Sequence, residues 1–148
     1  MVETSSQSSP VSDQPVSLSG QEPENQNVQK QRIILVAEDD SFLRKLLCDK
    51  LRHEGFEIFE ATNGQDALDF LKREKPILLL LDLVMPGIDG FKVLESIRKE
   101  ESTKDLPVIV LSNVAEKHLV ERAQALGVDD YLIKAHFVLE EIMERITK

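Results

Sequence analysis

Three short runs, Ile33 to Ala37, Ile77 to Leu81 and Val108 to Leu111, are apolar at every position. A strand with one wet face alternates apolar and polar residues, so these runs predict strands buried on both faces, at the centre of a parallel sheet covered by helices. The stretches between them carry helical spacing. Ser41 offers an N-cap hydroxyl, Phe42, Leu43, Leu46, Leu47 and Leu51 recur on one helical face, and Gly55 follows as a left-handed terminator; a first helix over about 41 to 53 is predicted. A second strand is expected near Phe56 to Ala61, then helices near Gln65 to Arg73, Phe91 to Glu100 and Glu116 to Leu126, the last closed by Gly127. Tyr131 to Ile133 reads as the fifth strand and Val138 to Ile146 as the terminal helix. The fold class is therefore α/β, with five strand–helix units. Glu57 and Glu60 interrupt the second strand and mark it as an edge. Right-handed crossovers then favour the order 2-1-3-4-5, a doubly wound sheet that reverses between strands one and three.

Residues 1 to 31 break this pattern. They hold seven Ser, six Gln and three of the six Pro but none of the seven aromatic residues, too little apolar surface to offset the entropy of ordering. A disordered polar tail is expected there, followed by one domain over residues 32 to 148. The net charge of −9 argues against an electrostatic grip on nucleic acid or an anionic membrane, and favours a protein or a cation as partner. No apolar run nears the roughly 20 residues of a bilayer span, and Met1-Val2-Glu3-Thr4 opens no signal sequence; a cytoplasmic protein is expected. The single cysteine, Cys48, excludes an internal disulfide and a cysteine zinc site, and falls among core positions of the first helix. His53, His118 and His136 are widely separated and read as surface residues.

Ligands of open α/β sheets bind outside the carboxyl ends of the strands, at the point where strand order reverses. The residues there are Glu38-Asp39-Asp40 after strand one, Asp82 at the end of strand three, Ser112 after strand four and Lys134 after strand five. Two carboxylates ~4 Å apart repel by about 4 kcal/mol at an effective dielectric near 20, so such a cluster calls for raised pKa values or a cation. Hard oxygen ligands favour Mg²⁺, which leaves room for the oxygens of a phosphate. Asp82 is followed by a Pro- and Gly-containing turn, Leu83 to Gly90, which places its carboxylate at a strand tip. A carboxylate so placed can attack phosphorus and form an acyl phosphate, with Ser112 and Lys134 binding its oxygens. Asp40 is expected to serve the first helix as a cap.

Four segments, Ile34 to Asp40, Leu81 to Gly90, Pro107 to Ser112 and Tyr131 to Lys134, stand in the order and spacing of the receiver domain of bacterial two-component response regulators. The chain from Arg32 to about Thr147 resembles that family, and its chemotaxis-regulator-like, stand-alone members in particular. The resemblance implies a flavodoxin-like topology and assigns Asp82 as phosphoacceptor. It implies Mg²⁺ bound by Asp39, Glu38, Asp82 and the Val84 backbone carbonyl, with Glu38 acting through water. Ser112 becomes the switch hydroxyl, Lys134 the phosphate-pairing cation and Tyr131 the aromatic switch. The expected partners are a histidine kinase or histidine phosphotransfer protein and a downstream protein target, with no nucleic acid or membrane. The unphosphorylated chain is expected to be monomeric, and to act as a switch or relay rather than a turnover enzyme. Val84 offers no polar side chain to orient water, so slow loss of the phosphoryl group is expected. Ala135 stands where the family usually has proline, so the Lys134–Ala135 peptide should be trans, and the loop to Phe137 is one residue longer than usual. A phosphorylation-independent docking module is the alternative. A flavodoxin-like enzyme would want a phosphate loop where Glu38-Asp39-Asp40 stands, and an aspartate-nucleophile phosphohydrolase a second acid where Val84 stands.

Overall fold

Each fully apolar run becomes a central strand in the computed structural model, which describes residues 32–148. The expected polar tail, 1 to 31, lies outside the described residues. Strands β1 (Ile33–Ala37), β2 (Glu57–Ala61), β3 (Leu78–Leu81), β4 (Val108–Ser112) and β5 (Asp130–Ile133) form one parallel sheet in the order β2-β1-β3-β4-β5. The crossovers are α1 (Ser41–His53), α2 (Gly64–Arg73), α3 (Gly90–Lys99), α4 (Lys117–Ala125) and α5 (Leu139–Thr147). A 3₁₀ turn, Lys134–His136, that the sequence pattern did not predict joins β5 to α5.

The two-residue period of the strands sorts their side chains into two layers. Ile34, Val36, Leu78, Leu80, Ile109 and Leu111 pack with Leu47, Cys48 and Leu51 of α1 and Ile142, Met143 and Ile146 of α5. Leu35, Ala37, Leu79, Leu81, Val108 and Val110 pack with residues of α2, α3 and α4, among them Phe70, Leu94 and Ala123. Burying a side chain of Leu, Ile or Phe size contributes about 1.5–3 kcal/mol, so these two layers dominate the stability of the domain. As expected, β2 is an edge, with Glu57, Phe59 and Glu60 exposed and Glu60 held by Arg44 (2.9 Å) and Arg52 (3.2 Å) of α1. At the end of the sheet where the strands begin, Arg98 donates to the carbonyls of Lys104, Leu106, Leu126 and Gly127, closing the loops that enter β4 and β5.

Of the two cap candidates, Asp40 is the N-cap, as expected of it, and Ser41 is not: Asp40 has extended backbone, and its Oδ1 accepts from Phe42 N (3.0 Å) and Leu43 N (3.1 Å), leaving Ser41 as the first helical residue. A carboxylate also suits the positive end of the helix dipole. Phe42 is 73 % exposed rather than part of the buried stripe. At 100° per residue it lies roughly 140° around the helix from Leu47, on the side away from the core. The expected terminators Gly55 and Gly127 do take left-handed backbone (φ 100° and 78°), and Cys48 is fully buried.

The turn after β3 depends on close approach. Gly90 N–H donates to Leu83 O at 3.1 Å, and a Cβ on Gly90 would stand 2.5 Å from Leu83 Cα, inside van der Waals contact with backbone. A Gly90→Ala substitution should therefore displace the 83–90 turn and lower stability by about 1–3 kcal/mol, read as a reduced urea midpoint; an unchanged midpoint would contradict this packing.

Candidate functional site

Backbone hydrogen bonds continue the sheet past the strands and fix where the first acidic residues stand. Glu38 N–H donates to Ala61 O and Asp82 N–H to Ala37 O, each at 3.0 Å, so the residue after β1 and the residue after β3 lie side by side. Arg44, from the first turn of α1, donates to the Glu38 carbonyl at 2.8 Å and holds this strand end from above. The parallel sheet then brings Lys134 to the same edge from β5.

Lys134 Nζ lies 2.8 Å from Glu38 Oε1 and 3.0 Å from Asp82 Oδ2. Both carboxylates are buried, Glu38 at 2 % and Asp82 at 4 % exposure, and each takes a further backbone donor. Asp40 N–H reaches Glu38 Oε2 at 3.0 Å, and Val84 N–H reaches Asp82 Oδ1 at 3.1 Å. Asp39 is exposed at the mouth, and one carboxylate oxygen from each of Glu38, Asp39 and Asp82 lies within 4.8 Å of the others. Among the described residues this is the one such group of three or more His, Cys, Asp or Glu side chains. His53, His118 and His136 are exposed and lie apart from it.

Charge is out of balance here. One ammonium faces two buried carboxylates, with a third at the rim. Burial pushes Glu38 up to about 7, against the hydrogen bond from Lys134 and that from Asp40 N–H, with the charge of Asp82 adding to the rise. Burial works against the Lys134 charge too, but its bonds to Glu38 and Asp82 outweigh this and hold it above the ordinary lysine range. An all-oxygen set with surplus negative charge and an open rim fits a hard divalent cation that keeps some of its water.

Ser112 is the last residue of β4, not the residue after it, and is fully buried. Its Oγ accepts from Val114 N at 3.3 Å. Tyr131 is half-buried and donates its hydroxyl to Val114 O at 2.6 Å; burial raises its pKa, helped by Glu116 and Asp82. One residue of the β4–α4 loop thus contacts both the buried hydroxyl and the tyrosine. The described chain has no cis peptide, so Lys134–Ala135 is trans as expected, and Ala135 N–H donates to Asn113 Oδ1 at 3.0 Å. The structure therefore brings Glu38, Asp39, Asp82 and Lys134 into one cluster and hangs Ser112 and Tyr131 on the adjoining loop. Val84 joins through its N–H, while its side chain is 63 % exposed. Sequence reasoning missed Arg44, Asn113 and Val114. Arg44 had a usable signal, being the cation in the first turns of a helix that starts at an acidic strand end; the other two act through contacts between loops.

The sequence model of the response regulator receiver domain family matches residues 34–147. "Probable transcriptional regulator ycf27" of Porphyridium aerugineum is 37% identical over 119 residues, 80% of this chain and 48% of that protein. The chain spans about half the length of the curated relatives it matches. The non-phosphorylated HemR receiver domain from Leptospira biflexa superposes with a TM-score of 0.73 at 30% identity, covering 78% of this chain and 91% of the other. The receiver domain of the sensor histidine kinase PA1611 from Pseudomonas aeruginosa PAO1, solved with magnesium coordinated in its active-site cleft, gives 0.69 at 26% identity, covering 78% and 94%. No helix among the described residues is long and apolar enough to cross a membrane.

The buried Glu38 carboxyl makes a pH-dependent contribution. Its folded value, about 7, lies above the ordinary 4.5, so its contribution to stability is fullest below the ordinary value and is lost as pH rises through about 7. In chelator, the melting temperature of the wild type relative to Glu38→Gln should fall between about pH 5 and about pH 8. A constant difference across that window would remove the assigned shift.

Proposed function

The chain belongs to the response regulator receiver domain family, and from that premise we propose that Asp82 accepts a phosphoryl group from a phosphohistidine of a histidine kinase or phosphotransfer partner. The observation that carries this reading is the environment of Asp82: a buried carboxylate at the end of an apolar strand, gripped by Lys134 and Val84 N–H beside two more acids. A merely structural carboxylate would be fully paired, whereas here negative charge is in surplus. In the transfer, an Asp82 carboxylate oxygen forms a bond to phosphorus as the phosphorus–nitrogen bond of the donor breaks. The electron pair returns to the imidazole, and the product is an acyl phosphate.

Glu38 and Asp39, with Asp82 and the Val84 backbone carbonyl, are the residues that would hold Mg²⁺, Glu38 through water. Bound there, the ion supplies positive charge against the carboxylates and the phosphoryl oxygens. Lys134 is already 3.0 Å from Asp82 and adds a second positive charge. Ser112 turns its hydroxyl from Val114 N–H toward a phosphoryl oxygen. Because Tyr131 is bonded to the same Val114, the movement loosens its hydroxyl and lets the ring turn inward, which alters the surface offered to a protein partner. The phosphoryl group is either passed along a relay or lost to water, so the chain acts as a stoichiometric switch in the cytoplasm and not as a turnover enzyme. The phosphate-independent docking alternative drew its support from Ala135, and the position of Lys134 beside Asp82 weighs against it.

Incubation with acetyl phosphate should add ~80 Da to the intact mass, one phosphoryl group, only with Mg²⁺ present and not in Asp82→Asn. With an apolar residue at 84, the adduct should last many minutes to hours. No adduct, with phosphohistidine donors also tried, would overturn the reading, and a lifetime of seconds would overturn the role given to Val84. Tyr131 is the single tyrosine of a chain without tryptophan, so its emission reports the switch alone. In Ser112→Ala, Asp82 should still be phosphorylated while the emission change seen in the wild type is lost; a retained change would remove Ser112 as the coupling hydroxyl.

A further inference from the structure

Besides the ladder that holds Ser112 in β4, three hydrogen bonds tie residues 112–114 at the end of the strand. Ser112 Oγ accepts from Val114 N (3.3 Å), Asn113 Oδ1 from Ala135 N (3.0 Å) and Val114 O from the Tyr131 hydroxyl (2.6 Å). The outer two involve residues already assigned to the switch. The middle one joins the loop to the residue next to Lys134. It depends on the identity of position 135, because alanine carries a backbone N–H and proline does not. Ala135 sits in the first part of a 3₁₀ turn that has no cap from its own preceding residue, so this N–H would otherwise lack a partner within the turn, and Asn113 supplies one from another loop.

The two sides of this bond differ in freedom. The 134–136 turn is pinned by Lys134, whose ammonium is held by two buried carboxylates. Residues 112–114 are the segment that must move when Ser112 turns toward Asp82. The Asn113 side chain therefore links a fixed part to a moving part. We infer that Asn113 is a positioning residue, a latch on the Ala135 N–H that favours the arrangement in which Ser112 faces Val114 and that must yield when Ser112 engages a phosphoryl group. The inference rests on the phosphoacceptor reading of Asp82. Both latch residues are exposed, so breaking the bond exchanges it for water and leaves the core intact. A neutral hydrogen bond of this kind is worth a factor of roughly two to ten in the equilibrium between the two arrangements.

The test is a calorimetric titration with beryllofluoride, a phosphoryl analogue, in the presence of Mg²⁺, on the full chain. Asn113→Ala should bind roughly two- to tenfold more tightly than the wild type, because the competing arrangement has lost its bond. Its Tyr131 emission before titration should move toward that of the saturated wild type, a change that a residue acting only on stability would not produce. Ala135→Ser, which keeps the N–H, should behave as the wild type. In an Ala135→Pro background, where the N–H is gone, adding Asn113→Ala should change nothing further. Any separate effect of the proline on the Lys134 turn is common to both members of that comparison. Unchanged or weaker binding in Asn113→Ala, or an equal gain in both backgrounds, would overturn the latch while leaving a responsive wild type as a phosphoacceptor. A wild type that binds no beryllofluoride would overturn the phosphoacceptor reading and the latch with it.

Discussion

The arrangement at the carboxyl edge of the sheet depends on one ammonium shared by two buried carboxylates. Lys134 reaches Glu38 and Asp82 from a strand two places away from β3, and the contact spans 52 residues of sequence. Carboxylates ~4 Å apart repel by about 4 kcal/mol at an effective dielectric near 20, and a single Lys can offset one such charge but not two. Burial lifts Glu38 to about 7 and the charge of Asp82 adds to the rise, so the site gains from a proton there. A divalent cation offers the other way to remove that shortfall. The fold tolerates this strain because the two hydrophobic layers on either face of the sheet supply stability that does not depend on the edge.

That edge was largely legible from the chain, for a reason particular to parallel sheets. Every strand of such a sheet points the same way, so any polar residue closing an apolar run must stand at one end. Glu38, Asp39, Asp82, Ser112 and Lys134 were found by this rule alone, and strand order followed from the Glu residues of β2. Local chemistry was read less well. Asp40 and Ser41 are both good caps, and only the extended backbone at Asp40 decides between them. Phe42 fits an apolar list, yet the buried stripe of α1 is centred on Leu47, Cys48 and Leu51, and Phe42 falls on the far side. The Asn113–Ala135 bond lay beyond sequence reasoning, since it needs two loops 22 residues apart to meet at hydrogen-bond distance. The departure at Ala135 was visible, but it read as a lost proline rather than as a gained donor.

The two ends of the sheet are built for opposite purposes. At the end where the strands begin, Arg98 satisfies four carbonyls of the loops entering β4 and β5, so charge is spent on closing backbone. At the other end charge is concentrated and left incompletely matched. Stability and chemistry are thereby separated along the strand axis.

A similar separation divides the site itself. On the side of β1 and β3, Glu38 and Asp82 are fixed by sheet hydrogen bonds, and Arg44 on the Glu38 carbonyl and the Asp40 cap add to them. On the side of β4, Ser112 closes the strand. Beyond it, residues 113–114 are tied to other groups by two single bonds outside any helix or strand ladder, Asn113 Oδ1 accepting from Ala135 N and Val114 O from the Tyr131 hydroxyl, with Ser112 Oγ accepting from Val114 N within the loop. Each such bond is worth about 0.5–1.5 kcal/mol net, small against the cost of moving an acidic residue out of the sheet. Under the proposed function, a charge added at Asp82 would act against unequal resistances, the β1 and β3 side holding its position and the loop giving way, which would direct the response away from the sheet and toward Tyr131 and the protein surface.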